Sequence, residues 1–193
     1  MFHKSDISRD AYQLYGRQAK KGYDWWWHSF TATRVKDGLR RAFYIEFFLI
    51  NPALGENEPV FGQLSEEARP SYLMVNVGSY GGEPKQLHRF FGFKQVRIKK
   101  GYPYEVECAD CYVSETHTKG SVKVSIEEAS SHPEWMSDAG GMSWDLRIEK
   151  KIAFNPAVEL SYLTPEEQRD FLEAMDYAQA APSLSQAQRL RKM

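Results

Sequence analysis

The chain has 193 residues, a formal net charge of -1, 14% aromatic and 42% hydrophobic residues. Its length suits one domain, or one domain with a tail, and is enough to bury a core. A pI near 6.5 without any block of like charge gives no field for nucleic acid or an anionic membrane, so nucleic acid is not an expected partner. With a mean hydropathy of -0.59 the apolar surface sits in bulky rings, and no run is long and apolar enough to span a bilayer.

The start, Met1-Phe2-His3-Lys4-Ser5-Asp6, lacks the apolar stretch of a signal peptide, so a cytoplasmic location is expected. Residues 8–20 read as a short helix with Ser8 as cap and Gly16 as stop. Next comes the grammar of a β-hairpin: Tyr23-Asp24-Trp25-Trp26-Trp27-His28-Ser29-Phe30, a turn at Lys36-Asp37-Gly38, and Ala42-Phe43-Tyr44-Ile45-Glu46-Phe47-Phe48-Leu49-Ile50. Aromatics occupy both faces, which predicts a closed or sandwiched sheet with an occupied interior. Neighbours on a strand diverge, so Trp25 with Trp27, or Trp26 with His28, point inward together while the other set covers a second surface.

Breakers at Asn51-Pro52-Ala53-Leu54-Gly55 and a polar stretch to Arg69-Pro70 form a loop. Ser71 to Tyr80 alternates, with Leu73, Val75 and Val77 on one face and Tyr72, Met74 and Asn76 on the other. Further strands are expected at Lys85 to Lys99, Tyr102 to Cys108, Tyr112 to Ser125 and Met142 to Ile152. In the last, Met142, Trp144, Leu146 and Ile148 share a face. Ser125 caps a helical turn at Ile126-Glu127-Glu128-Ala129, and His132 to Gly141 forms an irregular loop of the kind that makes a rim or lid. Thr164-Pro165-Glu166-Glu167 opens a docking helix with Phe171, Met175 and Ala178 in one narrow stripe, followed by a polar tail.

Cys108 and Cys111 form the chain's one C-x-x-C spacing. A redox motif would want it at a helix start, and zinc would need two more ligands, for which His88 and His117 are the candidates. Two reduced thiols at a strand turn is the plainer reading, and no metal is expected.

Three groups are weighed as site residues. Glu46 lies between Ile45 and Phe47 with no basic neighbour in sequence, so burial would raise its pKa and keep it protonated as a general acid. The alternative pairs it across the sheet with Arg97 or Lys123. His28 reads either as a core histidine or as a site residue. Asp138, in the glycine-flanked loop, and Asp145, on a polar strand face, are candidates beside the ordinary solvated carboxylate. The tryptophans are a core or edge plug, or else a stacking box that favours a carbocation-like transition state. Sugar stacking would need more Asn, Asp and Gln around the rings.

Gly22 to Thr31, Phe43 to Pro52 and Met136 to Leu146 resemble the tocopherol cyclase-like proteins, near the carotenoid 1,2-hydratases and the AttH-type lipocalin-like proteins, over roughly residues 10–155. The resemblance implies a lipocalin-like antiparallel β-barrel or strongly bent sheet, normally the first of two such domains with the ligand between or inside them. It also implies cofactor-free protonation of an isoprenoid double bond followed by cyclisation or hydration, or pericyclase-like binding of polyenes. The second β-domain does not follow here, which reads as a single-domain variant or an interrupted reading frame. An exposed aromatic face would then seek a partner, a second copy of the chain being one candidate.

The expectation is therefore a mainly β, lipocalin-like domain over residues 1–155 with a helix and polar tail over 156–193. It would bind an apolar isoprenoid-like or polyketide-like molecule without a cofactor. Glu46 or Asp138 would be the acid, and Trp25, Trp26, Trp27, His28, Tyr44 and Trp144 would shape the pocket. A non-catalytic carrier or interaction domain is the alternative.

Overall fold

The computed structural model describes residues 11–55, 70–131, 133, 138–148, 163–178 and 187. The chain divides into two compact units. One comprises Leu14–Ile98 and Glu105–Arg147, and the other draws its described residues from Met1–Gln13, Lys99–Tyr104 and Ile148–Met193.

The described residues are mainly β. Strands β1 (Tyr23–Thr33), β2 (Arg40–Ile50), β3 (Tyr72–Tyr80) and β4 (Lys85–Phe91) form a four-stranded antiparallel sheet in that order. Strands β5 (Val96–Lys99), β6 (Glu105–Cys108), β7 (Cys111–Ser114), β8 (His117–Val124) and β9 (Gly140–Arg147) form a five-stranded sheet, also in chain order. Among the described residues the two sheets do not close into one barrel.

The β1–β2 hairpin has the expected position, with unbroken register from Tyr23 opposite Ile50 to Thr33 opposite Arg40. Its turn is closed by an Arg34–Asp37 ion pair and by the Gly38 amide, which donates to the Arg34 carbonyl at 2.8 Å. Gly38 takes φ 72°, a conformation that costs a side-chain-bearing residue more. Along β2 the alternation separates two faces. Ile45, Phe47 and Leu49, with their β3 partners Val77, Val75 and Leu73, are fully buried. Each such side chain contributes about 1.5–3 kcal/mol of burial free energy, so this face anchors the sheet.

In the second sheet Val106, Val113 and Val122 are fully buried, and β4 packs against β8 and β9. Alternation in β9 follows expectation, with Trp144 buried and Ser143 and Asp145 exposed. The Trp144 indole N–H donates to Thr118 Oγ1 at 2.9 Å, and that hydroxyl donates to the Tyr112 carbonyl at 3.1 Å. Gly120 makes room beneath the ring, since a Cβ there would lie 2.8 Å from Trp144 Cζ2.

Three helices are described. The first, α1, covers only Gln18–Lys21, because Gly16, at φ 55°, forms the turn that precedes the helix rather than the stop that follows it. Residues 8–10 of the expected helix lie outside the described residues. Helix α2 (Ile126–Ser131) has the expected Ser125 cap in reciprocal form: the Glu128 amide donates to Ser125 Oγ at 3.0 Å and the Ser125 amide to Glu128 Oε2 at 2.7 Å. Helix α3 (Pro165–Ala178) repeats the arrangement between Thr164 and Glu167, and Met175 is its buried residue with Phe171 half-buried.

Other expected strands come out shorter. Lys85 to Lys99 is divided at Gly92 by a short 3-10 turn, Phe93–Gln95. Tyr112 to Ser125 is divided at Glu115-Thr116, where Ser114 Oγ donates to the His117 carbonyl at 3.2 Å and accepts the Thr116 amide at 3.4 Å. Tyr102 to Cys108 pairs only from Glu105, and Met142 to Ile152 begins two residues early, at Gly140. Residues 149–162 and 179–186, including the start of the polar tail, lie outside the described residues.

The Thr118 hydroxyl satisfies a buried indole N–H, so Thr118→Val should lower stability by ~1–3 kcal/mol through an orphaned donor. Urea denaturation followed by Trp144 fluorescence measures this, and an unchanged midpoint would show that the hydrogen bond contributes nothing.

Candidate functional site

The second face of the first sheet carries the chemistry. Alternation places Trp25 and Trp27 of β1, Tyr44, Glu46 and Phe48 of β2, Met74 and Asn76 of β3, and Gln86, His88 and Phe90 of β4 on this side. It is opposite in character to the aliphatic face of Ile45, Phe47 and Leu49. Trp25 is 43% exposed and Trp27 38%, whereas Trp26, on the aliphatic side, is 4% exposed.

Rings run along this face. Tyr23 stacks on Trp25 at 5.5 Å and on Phe48 at 5.7 Å. Trp27 lies nearly parallel to Tyr44 at 4.9 Å and 6°, and Tyr44 leans on Tyr80 at 5.2 Å. On β4, His88 meets Phe90 edge to face, as does Tyr72. Gly78 opposes Tyr44 in register, and a Cβ there would lie 2.7 Å from the Tyr44 ring and 2.3 Å from the Lys85 carbonyl, so the missing side chain lets Tyr44 lie flat across β3.

Glu46 stands opposite Trp27 and between Tyr44 and Phe48 along its own strand. Its carboxylate accepts from Asn76 Nδ2 at 2.8 Å. The pairing with Arg97 or Lys123 weighed from the sequence is replaced by this neutral donor one strand away. Asn76 is buried, and its Oδ1 accepts from the Tyr44 hydroxyl at 3.4 Å and from Gln86 Nε2 at 3.3 Å. Two donors on one amide oxygen fix the orientation of the amide, so its NH2 end is turned to Glu46.

Burial raises the Glu46 pKa above the ordinary glutamate value, opposed by the Asn76 hydrogen bond and by nearby His88. The Tyr44 hydroxyl is pushed up to about 12, chiefly by burial and then by the neighbouring Tyr80, Glu46 and Asp138. The face thus offers a carboxyl that retains its proton beyond the usual range beside a phenol that stays neutral.

Asp138 reaches the same network indirectly. Its Oδ2 accepts the Gln86 backbone N–H at 2.7 Å, while the Gln86 side chain donates to Asn76. Of the residues singled out from the sequence, Glu46, Trp25, Trp27 and Tyr44 therefore share a face, with Asp138 bonded at its β4 margin. Trp26 and His28 lie on the opposite face, because a strand cannot present three consecutive side chains to one side. Trp144 belongs to the second sheet, where Thr118 holds its indole.

The pattern of the chain does not mark Asn76 or Gln86 as site residues, and it offers His88 only as a zinc ligand. Asn76 was placed opposite Leu73, Val75 and Val77, and a polar residue at that position in a strand was the available signal. The Cys108–Cys111 pair is not joined by His88 or His117: His88 lies on the Glu46 face, and His117 Nε2 is 2.6 Å from Asp145 Oδ1. Among the described residues no group of three or more His, Cys, Asp or Glu is placed to hold a metal ion, and no helix is long and apolar enough to cross a membrane. Comparison with protein-family models, with curated proteins and with solved structures returns no match.

The raised Glu46 pKa fixes the sign of a pH dependence. The folded state holds this proton more tightly than the unfolded chain, so stability should fall as pH rises from about the ordinary glutamate value, 4.5, through the raised one. Glu46→Gln should remove that fall, and Asn76→Ala, which deletes the bond to the charged form, should move it to higher pH. Urea midpoints across the acid range, with carboxyl-carbon NMR of Glu46, measure both. A Glu46 titrating at its ordinary value would refute the reading.

Proposed function

We propose that the aromatic face around Glu46 binds an apolar, isoprenoid-like or polyene-like small molecule, and that Glu46 acts as its acid. The observation that carries this reading is a half-buried carboxyl of raised pKa flanked on its strand by Tyr44 and Phe48 and faced by Trp27. The resemblance to tocopherol cyclase-like proteins supports the same reading and supplies its finer architecture, a lipocalin-like sheet curved around the ligand.

The chemistry needs no cofactor. Protonated Glu46 gives its proton to one carbon of a double bond, the π pair forms the new C–H bond, and the adjacent carbon becomes cationic. The exposed face of Trp27, backed by the stacked Tyr44 ring, stabilises that charge. A hydroxyl of the ligand, or water, adds to the cation, and its proton returns to the Glu46 carboxylate. Asn76 holds Oε2, which leaves Oε1 as the oxygen that carries the proton. Positioned acids of this type contribute about 10²–10⁴ in rate.

A carrier with the same face would bind without turnover, and one set of measurements separates the two. Retinol added to the protein should quench tryptophan emission. The double variant Trp25→Ala/Trp27→Ala should lose most of that quenching, and the Trp144→Phe variant should keep it. With isoprenoid alcohols, Glu46→Gln should retain binding and lose about 10²-fold or more of turnover. Binding without product in the wild type would favour the carrier, and turnover untouched by Glu46→Gln would remove Glu46 from the mechanism.

A further inference from the structure

We propose that Cys108 and Cys111 are a reversible disulfide site, oxidised by exchange with a small-molecule disulfide of the oxidised-glutathione type. The two residues are directly opposed in the β6–β7 register, with only Ala109 and Asp110 between them. Directly opposed strand residues have Cβ atoms about 4.5–5.5 Å apart, and a disulfide needs about 3.5–4.5 Å, so closure requires a shift on the order of 1 Å.

The turn is held in place for that shift. Ala109 takes φ 52°, and Asp110 accepts from Arg89 Nη1 at 2.6 Å and from Ser121 Oγ. The hairpin therefore keeps the two thiols at high mutual concentration rather than letting the strand ends part. They already interact: the Cys108 thiol donates to Cys111 Sγ, which holds the Cys111 pKa down and the Cys108 pKa up. Cys111 Sγ also lies 3.4 Å from the Ser121 carbonyl.

Both thiols are buried, so approach matters. A cleft of about 500 Å³ has Cys111 in its lining beside Asp110, Tyr112, His117 and Lys119, but the Cys111 side chain is fully buried, so the exchange proceeds through a local opening of the hairpin. The Cys111 thiolate attacks one sulfur of the small disulfide; its S–S bond breaks, and the departing thiolate takes up the proton that Cys111 released. Cys108 then loses its proton and attacks the Cys111 sulfur, expelling the second small thiolate, which is protonated in turn. Two protein thiols are oxidised and one small disulfide is reduced to two thiols. The order follows from the cleft, whose lining includes Cys111 and not Cys108, so Cys111 is the attacking thiol and Cys108 the resolving one.

The test uses the folded full chain, incubated with oxidised glutathione, quenched in acid, unfolded, alkylated and weighed. The wild type should lose two hydrogens, leave no alkylatable thiol and recover both with dithiothreitol. Trp144 emission should change as well, because Cys111 Sγ and the Trp144 ring both lie within 2.9 Å of one point at Gly120. Cys108→Ser should accumulate a mixed disulfide at Cys111 faster than Cys111→Ser does at Cys108, because of the two only Cys111 lines the cleft. The proposal is overturned if the folded wild type keeps two alkylatable thiols under conditions that oxidise the unfolded chain, or if it forms only chain-to-chain disulfides. A faster reaction at Cys108 would overturn the assigned order.

Discussion

The register of the β1–β2 hairpin is the constraint on which the rest of the first sheet depends. Tyr23 opposite Ile50 sets every later pair, and through β2 it sets β3 and β4. With period-two alternation, this one choice sends Trp26, Phe47 and Leu49 to the buried side and Trp25, Trp27 and Glu46 to the other. A slip of one residue would bury Glu46 in the aliphatic layer and expose Phe47. The burial of Ile45, Phe47, Leu49 and their β3 partners is what makes such a slip costly. The position of the acid is thus fixed by apolar side chains on the opposite face of its sheet.

Among the described residues Glu46 is met by an amide rather than by an ion pair. A cation beside Glu46 would hold the carboxyl ionised, whereas an amide lets burial push its pKa upward while still satisfying one oxygen. The Asn76 amide is itself held by Tyr44 and Gln86, so three strands contribute to the setting of one carboxyl. Gly78 belongs to the same arrangement, because the flat placement of Tyr44 requires the space that a side chain would fill. Such a network is worth more than its single bonds suggest, since losing any member frees the amide to turn.

Much of this was legible in the chain, for physical reasons that differ by residue. The hairpin announced itself through two long apolar runs and a Lys-Asp-Gly turn, and the α2 and α3 starts through Ser and Thr three residues before Glu. The divergence of neighbouring tryptophans followed from strand geometry alone, although which of them faced the aliphatic layer depended on what packs there. The partner of Glu46 was not legible, because cross-strand pairing joins residues far apart in the chain: Asn76 lies thirty positions away. The break at Glu115-Thr116 was hidden for a different reason, since Ser114 satisfies the backbone with its own side chain where β-branched residues suggested continuity.

Strand β4 joins the two chemistries. Its odd-numbered residues Leu87, Arg89 and Phe91 lie on the side of the buried layer, and its even-numbered residues Gln86, His88 and Phe90 lie on the side of Glu46. Arg89 holds Asp110, the residue that spaces Cys108 from Cys111, while the adjacent His88 stands beside Glu46. Gln86 links Asp138 to Asn76 on the same strand. A change in the thiol hairpin that moved Asp110 would therefore be felt first at Arg89. The thiol hairpin and the aromatic face therefore meet at two adjacent residues of β4, Arg89 on one side of the strand and His88 on the other.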